Sequence, residues 1–164
     1  MSRRTGSRRR FSDLATGPRV CVMAGDVALA MLHRDERWLL QLRDDVEGIL
    51  HPGHWGLFGG HLERDESPEA AIQRELQEEI GWSPTSAIPP WFQHSNGDRT
   101  VHLFLGPLSV DLDALTLNEG QDLKLASLEQ MLSGAIWSDV VGEHRPLAPG
   151  LDIVLDKLIQ NPRA

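Results

Sequence analysis

Three glutamates of this sequence are spaced so that they would share one face of a helix. Residues 67–68 are serine and proline, a favoured helix start in which an N-cap hydroxyl precedes a proline in the first turn. Gly81 suits the position just past the end of that helix. At about 100° per residue, Glu75, Glu78 and Glu79 fall within an arc of roughly 100°. The sequence therefore predicts a helix that gathers three carboxylates on one face.

Such a group of carboxylates repels itself, by roughly a few tenths of a kcal/mol for each pair one helical turn apart. The helix has no lysine that would offset this repulsion. The adjoining residues Ile72, Leu76 and Ile80 form an apolar stripe that we expect to face the core. Carboxylate oxygens at the edge of a core are ligands that Mg²⁺ and Mn²⁺ prefer. On the helix alone, a solvated acidic face is the simpler interpretation, and a divalent cation site is the alternative.

Apolar runs on both sides of this helix predict the strands that must support it. Two of them are joined around Asn96-Gly97, a pair typical of hairpin turns. The predicted strands are Val27–Leu32, Trp38–Leu42, Trp55–Phe58, Ile88–Gln93, Thr100–Leu105 and Leu123–Ala126, with further helices at Ser127–Leu132 and Gly150–Ile159. Helices that flank strands of mixed direction predict an α/β sandwich.

The size and composition of the chain fit one domain with a core of its own. It has 164 residues, of which 40% are hydrophobic and 24% are charged. No apolar run approaches the roughly 18–20 residues that cross a bilayer. The single cysteine, Cys21, excludes an internal disulfide and a cysteine-based zinc site, and it fits a reducing compartment. We expect a soluble, cytoplasmic, single-domain protein that is a monomer or a homodimer.

The charges are distributed unevenly along the chain. The net charge is −8, yet five arginines lie within the first ten residues, which leaves eleven basic against 24 acidic residues in the rest. The rest of the chain is acidic enough to repel nucleic-acid backbones and membrane surfaces. It can still accept a polyanion at a site where bound divalent cations reverse the sign of the local charge. We expect residues 1–18 to be a disordered arm and residues 19–164 to be the domain. A nucleic-acid contact or a targeting role for the arm is the alternative.

The helix and the loop before it fit a longer pattern. The pattern G-x5-E-x7-R-E-U-x-E-E-x-G-U, where U is a bulky apolar residue, is matched by Gly60, Glu66, Arg74, Glu75, Leu76, Glu78, Glu79 and Gly81. This segment resembles the Nudix box of the Nudix hydrolase superfamily, and its MutT-like members in particular. Trp82 at the last apolar position and Phe58 before the two glycines depart from the usual residues. Residues 118–121 resemble a later segment that supplies one more carboxylate.

The resemblance implies a Nudix-type α/β/α sandwich with a mixed β-sheet and a divalent cation, Mg²⁺ with Mn²⁺ able to substitute. The resemblance also implies that Glu66 and Arg74 form an ion pair that orients the metal-binding carboxylates. It makes Glu75 the favoured general base. The implied metal ligands are Glu75, Glu78, Glu79, the carbonyl of Gly60, and Glu119.

Several residues are expected to contact a substrate. His61 and Arg99 are candidates for phosphate contacts, although a loop position and a solvated charge are the simpler interpretations. Trp91, Phe92 and Trp137 are candidates for stacking on a base, with ordinary packing as the alternative. The spacing of the histidines at 51, 54 and 61 matches no helical metal pair, so we do not expect zinc there.

The implied activity is hydrolysis of the diphosphate linkage in a nucleoside diphosphate that is joined to another group. Markers of several other branches of the family are absent from this sequence. A nucleoside triphosphate, cleaved to the monophosphate and pyrophosphate, is therefore the favoured substrate. An ADP-ribose or nucleotide-sugar pyrophosphatase is the second interpretation, and a non-catalytic, nucleotide-sensing domain of the same fold is the third. The expected partner is a small-molecule nucleotide.

Overall fold

The computed structural model describes residues 25–161, which form a mixed β-sheet with helices against its faces. In chain order the elements are β1 Val27–Arg34, β2 Arg37–Leu42, β3 Trp55–Gly56, β4 Phe58–His61, α1 Pro68–Ile80, β5 Pro90–Ser95, β6 Thr100–Pro107, a 3₁₀ turn at Leu112–Ala114, β7 Asp122–Ser127, α2 Leu128–Leu132, β8 Ala135–Ser138, β9 Glu143–Pro146 and α3 Leu151–Gln160.

The central strand of the sheet is β1, which has different neighbours at its two ends. It runs parallel to β6, and β5 lies antiparallel to β6 at the edge. On its other side β1 pairs with β2 only next to their shared turn, and β4 pairs with its first half. Strands β3 and β7 pair with β2. Strand β4 therefore starts close to the point where β2 leaves β1.

The two faces of the sheet bury separate cores. Ala28 and Ala30 on β1 pack against Ile72 and Leu76 of α1, whereas Met31 of β1 packs on the opposite face with the apolar side of α3. Because side chains of a strand alternate between faces, one strand serves both cores. The predicted stripe of Ile72, Leu76 and Ile80 is buried, and the predicted α/β class is confirmed.

The structure differs from the predicted strands at residues 55–58 and at residues 135–146. Residues 55–58 were predicted as one strand, but the chain pairs with β2 up to Gly56 and with β1 from Phe58, so the strand is broken at Leu57. The hairpin of β8 and β9 was not predicted at all. Its strands have four residues each, and β9 consists of glutamate, histidine, arginine and proline, which shows no apolar alternation.

Parts of the predicted organisation lie outside the described residues. These are the arm at 1–18, the beginning of the predicted domain at 19–24, which includes Cys21, and its last residues at 162–164. Of the helices in residues 25–161, none is both long enough and apolar enough to pass through a membrane.

Candidate active site

Local sequence fixes both ends of the helix that carries the glutamates. The Ser67 hydroxyl accepts a hydrogen bond from the Ala70 amide at 3.1 Å, and Pro68 occupies the first turn. Gly81 adopts the left-handed conformation, with φ of 64°, and its amide donates to the Gln77 carbonyl at 3.1 Å. Helix α1 therefore begins and ends where the sequence predicts.

Arg74 is the centre of an ion-pair group at the junction between this helix and the loop before it. Its guanidinium donates to both carboxylate oxygens of Glu66, at 2.9 and 3.0 Å, and to Glu75 Oε1 at 2.9 Å. It also reaches Glu78 Oε2 at 3.4 Å and the His61 carbonyl at 3.0 Å. These hydrogen bonds hold the pKa of Glu66 below its ordinary value and raise the pKa of Arg74. Arg74 thus orients carboxylates from the loop and the helix together.

Glu75 lies directly over Gly60. A Cβ atom at residue 60 would stand 2.6 Å from Glu75 Oε1, so this carboxylate fills the space that any other side chain would need. Burial raises the pKa of Glu75, as do the charges of Glu78 and Glu119, whereas the hydrogen bond and the charge of Arg74 oppose the rise. The absence of a side chain at residue 60 therefore lets a partly buried carboxylate approach strand β4.

Gly60→Ala is expected to displace Glu75 without unfolding the protein. The backbone at residue 60 is not left-handed, so alanine is allowed there, and the atoms in its way belong to a flexible side chain. We expect the hydrolytic activity that the sequence resemblance implies to fall about tenfold or more, with little change in the thermal unfolding midpoint.

Gly59→Ala provides the contrast for that measurement. Its Cβ would lie 2.1 Å from the Ala28 carbonyl oxygen, at a φ of 129°, so we expect loss of the fold itself. Full activity of a folded Gly60→Ala protein would contradict the role given to this space.

Glu79 is the most deeply buried of the glutamates, with 4% of its surface exposed. Its Oε2 accepts a hydrogen bond from the Gly59 amide at 2.8 Å. Burial raises the pKa of Glu79 to about 8, and the charges of Glu75 and Glu119 add to this, while the Gly59 bond and the Arg43 charge oppose it. A carboxylate held in so unfavourable a place is typical of functional sites.

The segment after the 3₁₀ turn brings Glu119 to the same place. The Asn118 amide donates to the Glu79 carbonyl at 2.8 Å, and Gln41 Nε2 donates to the Glu119 carbonyl at 2.9 Å. The Glu119 side chain is exposed, and its charge raises the pKa of both Glu75 and Glu79. Carboxylates that are far apart in sequence therefore meet beside β4.

The ligand atoms of these residues are of the kind that a divalent cation prefers. They offer hard carboxylate oxygens, a cradle at Gly60 that a side chain would fill, and a buried carboxylate whose ionisation a cation would favour. Within residues 25–161, no three acidic, histidine or cysteine side chains are already arranged to share an ion. The carboxylates point to other partners instead: Glu79 accepts a hydrogen bond from the Gly59 amide, and Arg74 donates to Glu75 and Glu78.

A cavity of about 390 Å³ opens beside the two glycines, on the face of the sheet that α3 covers. Its floor consists of two rows in register across four strands, from β4 to β5. The first row is His61, Val27, Val101 and His94, and the second is Gly59, Leu29, Leu103 and Phe92. Among the described residues that line the cavity there is no aspartate or glutamate, although the protein as a whole is acidic.

The sequence model that describes the NUDIX domain matches residues 23–145, which is well over half of the chain. The chain belongs to the Nudix family. The resemblance predicted from the box is thereby confirmed, and the helix, the glycine pair and the ion pairs of Arg74 described above are the Nudix box in three dimensions.

Relatives of this Nudix chain include an enzyme of Escherichia coli. That protein, the nucleoside triphosphatase NudI, is 35% identical to it over 66 residues, which are 40% of this chain and 46% of NudI. The chain thus spans about half the length of the curated relatives it matches.

Solved Nudix structures resemble the whole domain. The E. coli ORF135 protein is 28% identical, with a TM-score of 0.58, over 84% of this chain and 91% of that one. The MutT protein of Methanosarcina mazei is 19% identical, with a TM-score of 0.60, over 85% and 95% of the two chains. The NUDIX domain of Shewanella oneidensis NrtR, solved with ADP ribose, is 20% identical, with a TM-score of 0.60, over 89% and 93%. The last two show the fold alone.

Three of the five residues predicted to contact a substrate line the cavity of this Nudix chain. His61, Phe92 and Arg99 line the cavity. Among the described residues, Trp91 and Trp137 are not in the lining. Trp91 packs edge-on against Phe92, with ring centroids 4.8 Å apart, and Trp137 is 42% exposed on β8, where its ring meets His144. Both tryptophans therefore lie outside the cavity lining, and the stacking role predicted for them stays a prediction.

The lining residues that the sequence analysis did not propose as substrate contacts include Arg43 and His51. Arg43 follows β2, and its Nε donates to the Leu50 carbonyl at 2.7 Å across the loop of residues 43–54. His51 has a left-handed backbone with φ of 50°, which is unusual for a residue other than glycine. Burial lowers the pKa of His51, and the nearby His54 and Arg43 lower it further. For Arg43, the signal in the sequence is a basic residue directly after the strand predicted at Trp38–Leu42.

The loop of residues 43–54 is also fastened from the C-terminal side of the Nudix domain. Arg145 on β9 forms an ion pair with Asp45 at 3.1 Å and a second with Glu143 at 2.6 Å. A Cβ atom at residue 53 would lie 2.8 Å from the Arg145 guanidinium, so Gly53 makes room for it. The wall of the cavity that carries His51 is thus held by a residue from another part of the sequence.

Proposed function

We propose that this protein is a divalent cation-dependent pyrophosphohydrolase, and that its favoured substrate is a nucleoside triphosphate, cleaved to the monophosphate and pyrophosphate. One observation carries the proposal. Gly59 and Gly60 lie between the carboxylate group and the cavity: they line the cavity, and they also receive the carboxylates of Glu79 and Glu75. A substrate in the cavity would therefore present its phosphates to the carboxylates.

Glu78, Glu79 and Glu119, with the Gly60 carbonyl, would hold the cation, Mg²⁺ or Mn²⁺, and Glu75 beside them is given the role of base instead. When bound, the cation would neutralise phosphate charge and stabilise the charge that develops on the leaving group. Arg74 keeps Glu66, Glu75 and Glu78 oriented through the bonds described above.

Glu75 is the residue that we assign as general base. The oxygen of a water molecule attacks phosphorus, the bond from phosphorus to the leaving phosphate oxygen breaks, and the proton of the water passes to Glu75. One of its oxygens, Oε1, is engaged by Arg74, which leaves Oε2 for the proton. Burial raises the pKa of this carboxyl, which makes it a stronger base than an exposed glutamate.

The cavity suits an anionic nucleotide. Its lining contains Arg43, Arg99 and three histidines but no carboxylate among the described residues, so phosphate is favoured and a cationic group is not. The aliphatic floor and Phe92 offer a flat apolar surface on which a base can lie.

Arg43→Met is expected to weaken substrate binding. The change removes a charge beside the glutamates and keeps most of the apolar stem, so KM for a nucleoside triphosphate should rise about tenfold or more, with a smaller change in kcat. Steady-state kinetics at saturating Mg²⁺ measure this.

Arg34→Met is the matched control for that variant, because Arg34 ends β1 far from the glutamates and pairs with Asp111 there. We expect its KM to equal that of the wild type. An unchanged KM for Arg43→Met would remove Arg43 from the substrate site.

A nucleotide panel with Mg²⁺, its products identified by mass, tests the proposed function. Nucleoside monophosphate and pyrophosphate from a triphosphate are the expected products. Preferential cleavage of ADP-ribose or a nucleotide sugar would replace the proposed substrate. Binding without any product would favour a nucleotide-sensing domain and overturn the enzyme assignment.

A further inference from the structure

The C-terminal end of α1 is capped by a distant segment of the chain. The last carbonyls of a helix have no partner within the helix. The Gly81 amide donates a hydrogen bond to the Gln77 carbonyl. Residues 116–118 supply the donors for the next three carbonyls, those of residues 78–80. The Thr116 amide donates to the Ile80 carbonyl at 3.0 Å, and the Asn118 amide donates to the Glu79 carbonyl at 2.8 Å. All the carbonyls of the last turn are therefore satisfied.

Asn118 makes two of these bonds, because its side chain takes part as well. Its Nδ2 donates to the Glu78 carbonyl at 2.8 Å. Backbone and side chain of one residue thus hold two successive carbonyls, and both belong to glutamates of the Nudix box. Thr116, by comparison, contributes only its backbone amide to the cap.

The other side of the same segment is attached to β2. Gln41 Nε2 donates to the Glu119 carbonyl, and the Gln121 amide donates to the Leu42 carbonyl at 2.7 Å. The Glu119 backbone therefore lies between the end of α1 and the end of β2. Its position relative to Glu78 and Glu79 depends on the bonds of Asn118.

We propose that Asn118 is a positioning residue that sets the affinity of the site for divalent cations, by fixing Glu119 against the helix that carries the other carboxylates. This inference rests on the proposed function, since it assumes that those carboxylates hold a cation. Asn118 would act through the backbone and would contact neither cation nor substrate. Partners that orient metal ligands in this way commonly change affinity by about 10–100-fold when removed.

A direct measurement of Mn²⁺ binding tests the inference without any substrate. Free Mn²⁺ is followed by electron paramagnetic resonance while the protein is titrated. For Asn118→Ala we expect the dissociation constant to rise about tenfold. Hydrolysis by the same variant should approach the wild-type rate when Mg²⁺ is raised to saturation. Asn118→Leu keeps the size of the side chain without a donor and should give the same result, so it serves if the alanine variant does not fold.

Ser127→Ala is the matched control, because Ser127 caps α2 at the end of β7 away from Glu119. It should lose thermal stability as Asn118→Ala does, with an unchanged Mn²⁺ affinity. Wild-type affinity in both Asn118 variants would reduce Asn118 to an ordinary helix cap and overturn the inference. Absence of Mn²⁺ binding by the wild type would instead overturn the proposed function, and the inference with it.

Discussion

Glu79→Gln is expected to lower divalent cation-dependent hydrolysis by roughly 10³-fold, which corresponds to about 4 kcal/mol of transition-state stabilisation. The amide of glutamine has nearly the shape of the carboxylate, and its oxygen can still accept the Gly59 amide bond. The change therefore removes a charge at the centre of the carboxylate group and little else. Turnover of the favoured nucleotide at saturating Mg²⁺ is the measurement.

Glu69→Gln is the control for this result. Glu69 lies in the first turn of the same helix, and its side chain is exposed. The same chemical change at that position should leave turnover within about twofold of the wild type. Near-normal turnover by folded Glu79→Gln would show that the buried carboxylate does not serve the reaction.

The same Glu79→Gln variant is expected to stabilise the metal-free protein at alkaline pH. The folded-state pKa of Glu79, about 8, is higher than the ordinary carboxyl value of 4.5. Between these values the folded protein binds more protons than the unfolded chain, so wild-type stability falls as the pH rises through that window. Each pKa unit corresponds to about 1.4 kcal/mol. Glutamine does not titrate, and the variant should gain a few kcal/mol over the wild type near pH 8.

Urea unfolding in the presence of EDTA, at pH 5, 6.5 and 8, measures this difference in the free energy of unfolding. The advantage of the variant should be small at pH 5 and should grow with pH. Adding Mg²⁺ at pH 8 should stabilise the wild type more than the variant, because a ligand that binds only the folded state adds to its stability. Parallel pH profiles would contradict the raised pKa of Glu79.

The local chemistry of the sequence was enough to predict the helix and its carboxylate face. Ser67 and Gly81 mark the ends of α1, and the apolar stripe is buried as expected. Such features depend on residues within one or two helical turns of each other, and a single sequence displays them directly. The family followed from the same short segment.

Arg43 and His51 could not be recognised in this way, because their position depends on contacts distant in sequence. The loop of residues 43–54 folds back on itself through the bonds from Arg43 to the carbonyls of Leu50 and His54. In the sequence it is only a polar stretch with glycines and a proline. The position of Trp91 at an irregularity in the pairing of β5, and that of Trp137 in the separate sheet of β8 and β9, likewise depend on pairing between strands.

The ion pair between Arg145 and Asp45 joins residues a hundred positions apart. It fastens the wall of the cavity to a hairpin that contributes nothing to the carboxylate group. In the proposed function, this wall would contribute to the choice of nucleotide, and the carboxylate group would carry out bond cleavage. Substitutions in the hairpin are therefore expected to change which nucleotide is accepted while the carboxylate group keeps its arrangement.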